Sequence, residues 1–158
     1  SDCQSRIKSG PKRMTDHMSA TPLAQEAPYP LQSHLGFVLK EWKEIFCSLE
    51  LPLEPFLMNR FGIPHGGVHA VLLDTVMGYA GCYTGDVASP RFTVTLNLNV
   101  SFLAQSRGKL LLAEARRTGG GRRIFFAEGQ VRDDTGQLVA TGTGTFRYRS
   151  EGAQHERT

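Results

Sequence analysis

The sequence predicts an α+β domain in which a curved antiparallel sheet wraps one long central helix. Three observations carry that prediction. Residues 65–83 are apolar nearly all round at helical spacing, so that segment belongs inside the protein. Segments with β character flank it, two before and four after. The chain offers no second long helix to cover the first, so a strongly curved sheet has to do it.

The elements follow in chain order. Residues 1–28 are polar, with Lys8, Lys12 and Arg13 among Ser, Thr, Gly and Pro, and read as an extended or disordered arm. The domain is expected over 29–149 and a flexible tail over 150–158. From Leu31, "LQSHLGF" is a short helical turn closed by Gly36. "FVLKEWKEIFCSLEL" reads as two strands, near 37–42 and 44–51, with no strong turn dipeptide between them. Pro52, Pro55, Gly62 and Pro64 punctuate a loop. The long helix then starts at His65 or Gly66 and runs to about Tyr83, with Val68, Leu72, Val76, Tyr79 and Ala80 spaced three and four apart. In "FTVTLNLNVSFL", Phe92, Val94, Leu96, Leu98, Val100 and Phe102 are expected on one face. Thr93, Thr95, Asn97, Asn99 and Ser101 are expected on the other. "KLLLAEARRT" and "RRIFFAEGQVRD" follow, joined by Gly119, Gly120 and Gly121, and "GQLVATGTGTFRYR" closes the sheet after the turn "DDTG".

Composition narrows the function classes. A chain of 158 residues is one domain by length and can bury a core without staples. A formal charge of +3 is too small to point to nucleic acid. No apolar stretch reaches the length of a membrane span, and the N-terminus lacks the apolar core of a signal peptide, so the expectation is a cytoplasmic protein. Cys3, Cys47 and Cys82 are widely spaced without a CxxC pair, which disfavours a disulfide framework or a zinc ribbon. Buried free thiols are expected at Cys47 and Cys82. His65 and His69 stand four apart, but no third ligand is evident, so no metal site is expected.

One stretch does not fit a purely structural helix. "HGGVHAVLLD" opens on two glycines, each weakening a helix by about 1 kcal/mol relative to Ala, and places Asp74 where an apolar residue would pack better. Together with the element order, "NRFGIPHGGVHAVLLDTVMG" resembles the hotdog-fold acyl-CoA thioesterases, most nearly their phenylacetate-degradation (PaaI-type) branch. The resemblance covers about residues 31–148. It rests on an Asn six residues before a His-Gly-Gly and an Asp eight residues after the first Gly, here Asn59, His65, Gly66, Gly67 and Asp74. It implies that Asp74 is general base or nucleophile on an acyl-CoA thioester, that the Gly66 N–H polarises the carbonyl, and that Asn59 and His65 line the pocket. It also implies a hydroxyl residue on the next strand near the acid or its water; alignment through "TLNLNVSFL" puts it at Thr93. Coenzyme A then belongs to the substrate, and no separate cofactor is implied.

These residue types suit the chemistry. Thioester hydrolysis needs an activated nucleophile and a stabilised oxyanion. A helix N-terminus supplies free N–H groups and positive potential, and glycine lets a carbonyl approach them. Gly66 and Asp74, however, lie eight residues apart, about 12 Å along one helix. One thioester cannot touch both. Two copies with antiparallel helices bring Gly66 of one to Asp74 of the other, which predicts a homodimer with composite sites, extended to a dimer of dimers. Pairing of "FTVTLNLNV" with its copy, through Asn97 and Asn99, is the expected junction.

The remaining candidates are peripheral. Arg122 and Arg123, with Gly67, are expected on the coenzyme A side, since guanidinium suits phosphate oxygens; Arg91, Arg107 and Lys109 are alternatives. Phe56, Leu57, Met58 and Tyr79 are candidates for an apolar acyl pocket. A non-catalytic acyl-CoA-sensing module is the alternative reading, and it would not require Asp74.

Overall fold

The computed structural model describes residues 27–150, so most of the expected arm, all but one residue of the expected tail, and Cys3 lie outside the described residues. A short helix α1 (Pro30–Leu35) precedes strands β1 (Val38–Lys43) and β2 (Phe46–Pro52). A 3-10 turn at Pro55–Leu57 leads to the long helix α2 (Gly66–Cys82), and then come β3 (Thr93–Phe102), β4 (Leu110–Gly120), β5 (Ile124–Asp133) and β6 (Leu138–Tyr148). The six strands form one antiparallel sheet in the order β1-β2-β4-β5-β6-β3, with α2 on its concave face. This is the hotdog arrangement expected above.

The hidden turn between β1 and β2 falls at Glu44 and Ile45. Ile45 takes a left-handed φ of 58°, which β-branched residues rarely adopt, so no turn rule marks the position. The last four strands do not lie side by side in chain order. β3 crosses to the far edge and pairs with β6, leaving β4 beside β2.

Curvature comes from single-residue bulges at Lys40, Leu96, Thr118 and Val139, each of which adds local twist. Into the hollow go Leu72, Leu73, Val76 and Met77 of α2, all fully buried against Leu49, Leu51, Leu111, Phe125, Val131, Val139 and Phe146. The helix and sheet approach closely because glycine stands at the contact. Gly129 and Gly142 pair across β5 and β6, and a Cβ on either would lie 3.2 Å from Leu73. A Cβ on Gly81 would lie 2.2 Å from the Phe125 ring.

The described cysteines are free and buried. Burial raises both thiols, that of Cys82 to about 11 even with Arg91 opposing the rise. Among the described residues no helix is long and apolar enough to cross a membrane.

Asp133 holds the β5–β6 turn. Its carboxylate is fully buried and accepts from the Thr135 hydroxyl at 2.5 Å, from the N–H groups of Thr135 and Gln137 at 3.0 and 3.1 Å, and from the Arg107 N–H at 2.8 Å. Burial alone would raise its pKa, but the four hydrogen bonds outweigh it and hold the group down to about 2. A depressed folded-state pKa stabilises the fold above the unfolded value of about 4, and the contribution disappears as pH falls through 2. Asp133→Asn should therefore lower stability at pH 7 by about 1–3 kcal/mol. Urea unfolding at pH 7, 4 and 2 checks it: the gap to wild type should narrow at each step down.

Candidate active site

The site is organised by the turn that launches α2. Asn59 builds the loop: its side-chain oxygen accepts the N–H groups of Phe61 at 2.9 Å and Ile63 at 3.4 Å. Its backbone closes the same loop, the N–H donating to the Ile63 carbonyl at 2.8 Å and the carbonyl accepting from Gly62 at 3.0 Å. Gly62 sits at φ 72°, which keeps this turn tight. The amide nitrogen of Asn59 is then the group it can present outward.

His65 is the N-cap of α2. Its backbone is extended, its N–H donates to the Leu57 carbonyl at 2.9 Å, and its Nδ1 accepts from the Gly67 N–H at 2.8 Å. The Val68 N–H turns back to the His65 carbonyl at 2.9 Å. Of the opening N–H groups, that leaves Gly66's without an acceptor among the described residues. It lies at the positive end of a seventeen-residue helix, where an anion is stabilised. Gly67, by contrast, already serves the cap.

Asp74 sits two turns further along, half-buried, and the Thr95 hydroxyl donates to its Oδ1 at 2.6 Å. Thr93, the sequence-level candidate, is placed elsewhere: its hydroxyl donates to the Arg147 carbonyl at 2.8 Å, and its methyl lies 3.5 Å from where a Cβ on Gly78 would stand. Both threonines face α2, but a turn apart along it: Thr93 lies beside Gly78 and Thr95 beside Asp74. A bulge at Leu96 then brings Leu98 and Val100 to the same side, so the predicted unbroken alternation fails there. Which threonine meets the acid is set by how β3 docks along α2, and nothing in the sequence marks that.

The other candidates are spread apart. Arg122 and Arg123 are exposed in the β4–β5 turn, where their carbonyls accept from Arg91 Nη2 at 3.4 Å and the Tyr148 N–H at 2.9 Å. The Tyr148 hydroxyl donates to the Gly81 carbonyl at 2.6 Å, so this basic turn stands at the C-terminal end of α2. Arg91 is held there with its guanidinium 3.6 Å over the Tyr148 ring. Arg117 folds back toward the Gly119 and Gly121 carbonyls at 3.3 and 3.5 Å. The expected acyl-pocket set is not one cluster: Leu57 is in the core, Phe56 is exposed beside His34, and Tyr79 packs edge-on against Trp42 at 5.2 Å. His69 is buried with its ring 6.1 Å from Phe102, and burial lowers its pKa.

Comparison with known proteins follows the same geometry. The family described as Thioesterase superfamily matches residues 61–140, from the Gly66 turn through the start of β6. A Halobacterium salinarum protein named "Putative esterase" is 32% identical over 74% of this chain and 83% of its own. A Bacillus halodurans structure solved with CoA is 31% identical, covers 80% of this chain and 82% of its own, and superposes with a TM-score of 0.67. A phenylacetic acid degradation-related protein of Ralstonia eutropha is 30% identical, covers 79% and 95% respectively, and also gives 0.67.

His65→Ala removes the acceptor from the Gly67 N–H and should cost about 1 kcal/mol of stability, whereas His65→Asn should retain most of it. Chemical denaturation of the two variants beside wild type measures both.

Proposed function

The chain belongs to the thioesterase superfamily, hydrolases of thioester bonds, and from that premise we propose that it is a cytoplasmic enzyme cleaving aryl- or medium-chain acyl-CoA to free acid and coenzyme A. The observation that carries the proposal is Asp74, a half-buried carboxylate on a largely apolar helix, fixed at one oxygen by Thr95. The second oxygen is left to react. As a base it takes a proton from water while that water's oxygen attacks the thioester carbonyl carbon. The oxyanion that forms is met by the Gly66 N–H. Its collapse breaks the carbon–sulfur bond, and the departing thiolate takes the proton back from Asp74. As a nucleophile, Asp74 would attack the carbonyl itself, expel the coenzyme A thiolate and form an anhydride; water then opens it, and the proton it releases goes to the thiolate. Oxygen-18 entering Asp74 in a single turnover marks the second course.

Gly66 and Asp74 of one chain are too far apart to share a carbonyl, at about 12 Å along the axis. β3 supplies the remedy. It is an edge strand, and it runs beside α2 with Phe102 against Gly66 and Thr95 against Asp74. Antiparallel pairing of β3 with a second copy, centred on the exposed Asn97–Asn99 stretch, sets the Phe102 end of one chain against the Thr95 end of the other. Gly66 then meets the Asp74 of its partner, and His65 and the Asn59 amide border the same opening. The Arg91, Arg122 and Arg123 end of one chain comes beside the helix start of the other, where the phosphates of coenzyme A would emerge. On the outer face of the sheet a concavity of about 470 Å³, lined by Glu114, Arg116, Glu128, Gln130, Thr141 and Thr143, would be the surface for a second dimer.

The relatives support the substrate class. The Bacillus halodurans structure holds CoA, and the Ralstonia protein's name links it to phenylacetic acid degradation, in keeping with a PaaI-type enzyme.

Asp74→Asn should lower kcat by about a hundredfold or more while acyl-CoA binding persists; thiol release and equilibrium binding check the pair. Mixing tests the shared site. Asp74→Asn and Gly66→Val homodimers should both be inactive, yet a hybrid has one intact site, so random re-association should restore about a quarter of wild-type activity. Recovery of nothing from verified hybrids would refute the shared site.

A further inference from the structure

Phe102 is the last residue of β3 and pairs with Ala140, yet the residue is 59% exposed. It is therefore no ordinary core residue. Its Cε1 and Cζ lie 3.1 and 3.4 Å from the point a Cβ on Gly66 would occupy. In an α-helix the Cβ direction tilts toward the N-terminus, the direction in which first-turn N–H groups point. The ring consequently stands beside the path by which a carbonyl oxygen reaches the Gly66 amide. Behind it lies His69, 5% exposed, with its ring tilted 33° to that of Phe102 and its Nδ1 without a partner among the described residues. The imidazole backs the phenyl ring on its buried side, and the other side faces the opening at the Gly66 amide.

We infer that Phe102 is a specificity-determining residue that limits bulk on the carbon adjoining the thioester carbonyl; the inference rests on the thioesterase reading of Gly66. The carbonyl carbon must come within hydrogen-bonding reach of the Gly66 N–H through its oxygen, so its neighbouring carbon passes next to the ring. A slender CH₂ fits beside the ring edge. A second substituent on that carbon meets it. Gly66 itself obeys the same limit, since even a methyl there would press on the ring at 3.1 Å.

Butanoyl-CoA and 2-methylpropanoyl-CoA test this, because the two acyl groups are isomers that differ in branching at that carbon. The wild-type enzyme should favour the straight chain. Phe102→Ala should raise the branched-to-straight ratio of kcat/KM about tenfold, with Phe102→Leu between the two. A change that merely loosened the fold would lower both substrates together and leave the ratio fixed, and so would overturn the inference, as would a ratio that moved toward the straight chain. A wild type that releases thiol from neither acyl-CoA, nor from hexanoyl- or benzoyl-CoA, overturns the thioesterase reading and this inference with it. Turnover with an unmoved ratio overturns the inference alone.

Discussion

Close contact between one buried helix and the hollow of a bent sheet is the constraint on which everything else in this protein depends. Leu73 sets it. Its two methyl carbons fit against Gly129 and Gly142, a cross-strand pair that offers no Cβ. At the C-terminal end of the helix the roles reverse, and Gly81 admits the Phe125 ring. Interiors pack at crystal-like density, so a missing side chain on one surface must be matched by a present one on the other. The helix is thereby fixed along its axis and about it. That fixing points Asp74 sideways to β3 and leaves the Gly66 amide open at the end.

A polar group in such a helix is expensive unless it has a partner. Asp74 has one in Thr95 and is only half-buried, so its second oxygen is not enclosed. Asp133 is the instructive contrast. It is wholly buried, and four donors surround its two oxygens, so it is a turn anchor with no capacity left for chemistry. The two carboxylates thus differ in the number of donors that face them, and only Asp74 is left with an oxygen free for the proposed chemistry. The same accounting separates the two glycines of the HGG turn: the Gly67 N–H is occupied by the cap, while that of Gly66 is open.

The sheet order gives the edge strand its meaning. β3 has β6 on one side, and a ten-residue row of backbone groups on the other that a second chain could pair. Exposed Leu96, Phe102 and Leu103 would make an isolated edge an aggregation hazard. The proposed two-fold pairing would remove that hazard and close the distance that one helix cannot close for itself. Protection of the edge and completion of the site would then be the same event, so assembly and activity are expected to fail together.

Much of this was legible in the residues alone. The period of α2, its N-cap, and the offset from Gly66 to Asp74 are properties of a short stretch of chain, and the helix indeed spans Gly66–Cys82. The strands at β4, β5 and β6 were legible for the same reason, as β-rich segments bounded by turn residues. What the sequence did not carry was anything fixed by contacts between distant segments. The turn at Ile45 has no turn-forming residue, yet the pairing of Lys43 with Phe46 demands it. The hydroxyl beside Asp74 belongs to Thr95 and not Thr93, because the docking of β3 along α2 sets Thr93 one turn further on, beside Gly78. β3 lies at the edge because it pairs with β6, a choice made across the sheet. Local periodicity is written residue by residue. Register and neighbour are settled only when two strands meet, because a shift of one residue exchanges the faces of a strand without altering its sequence.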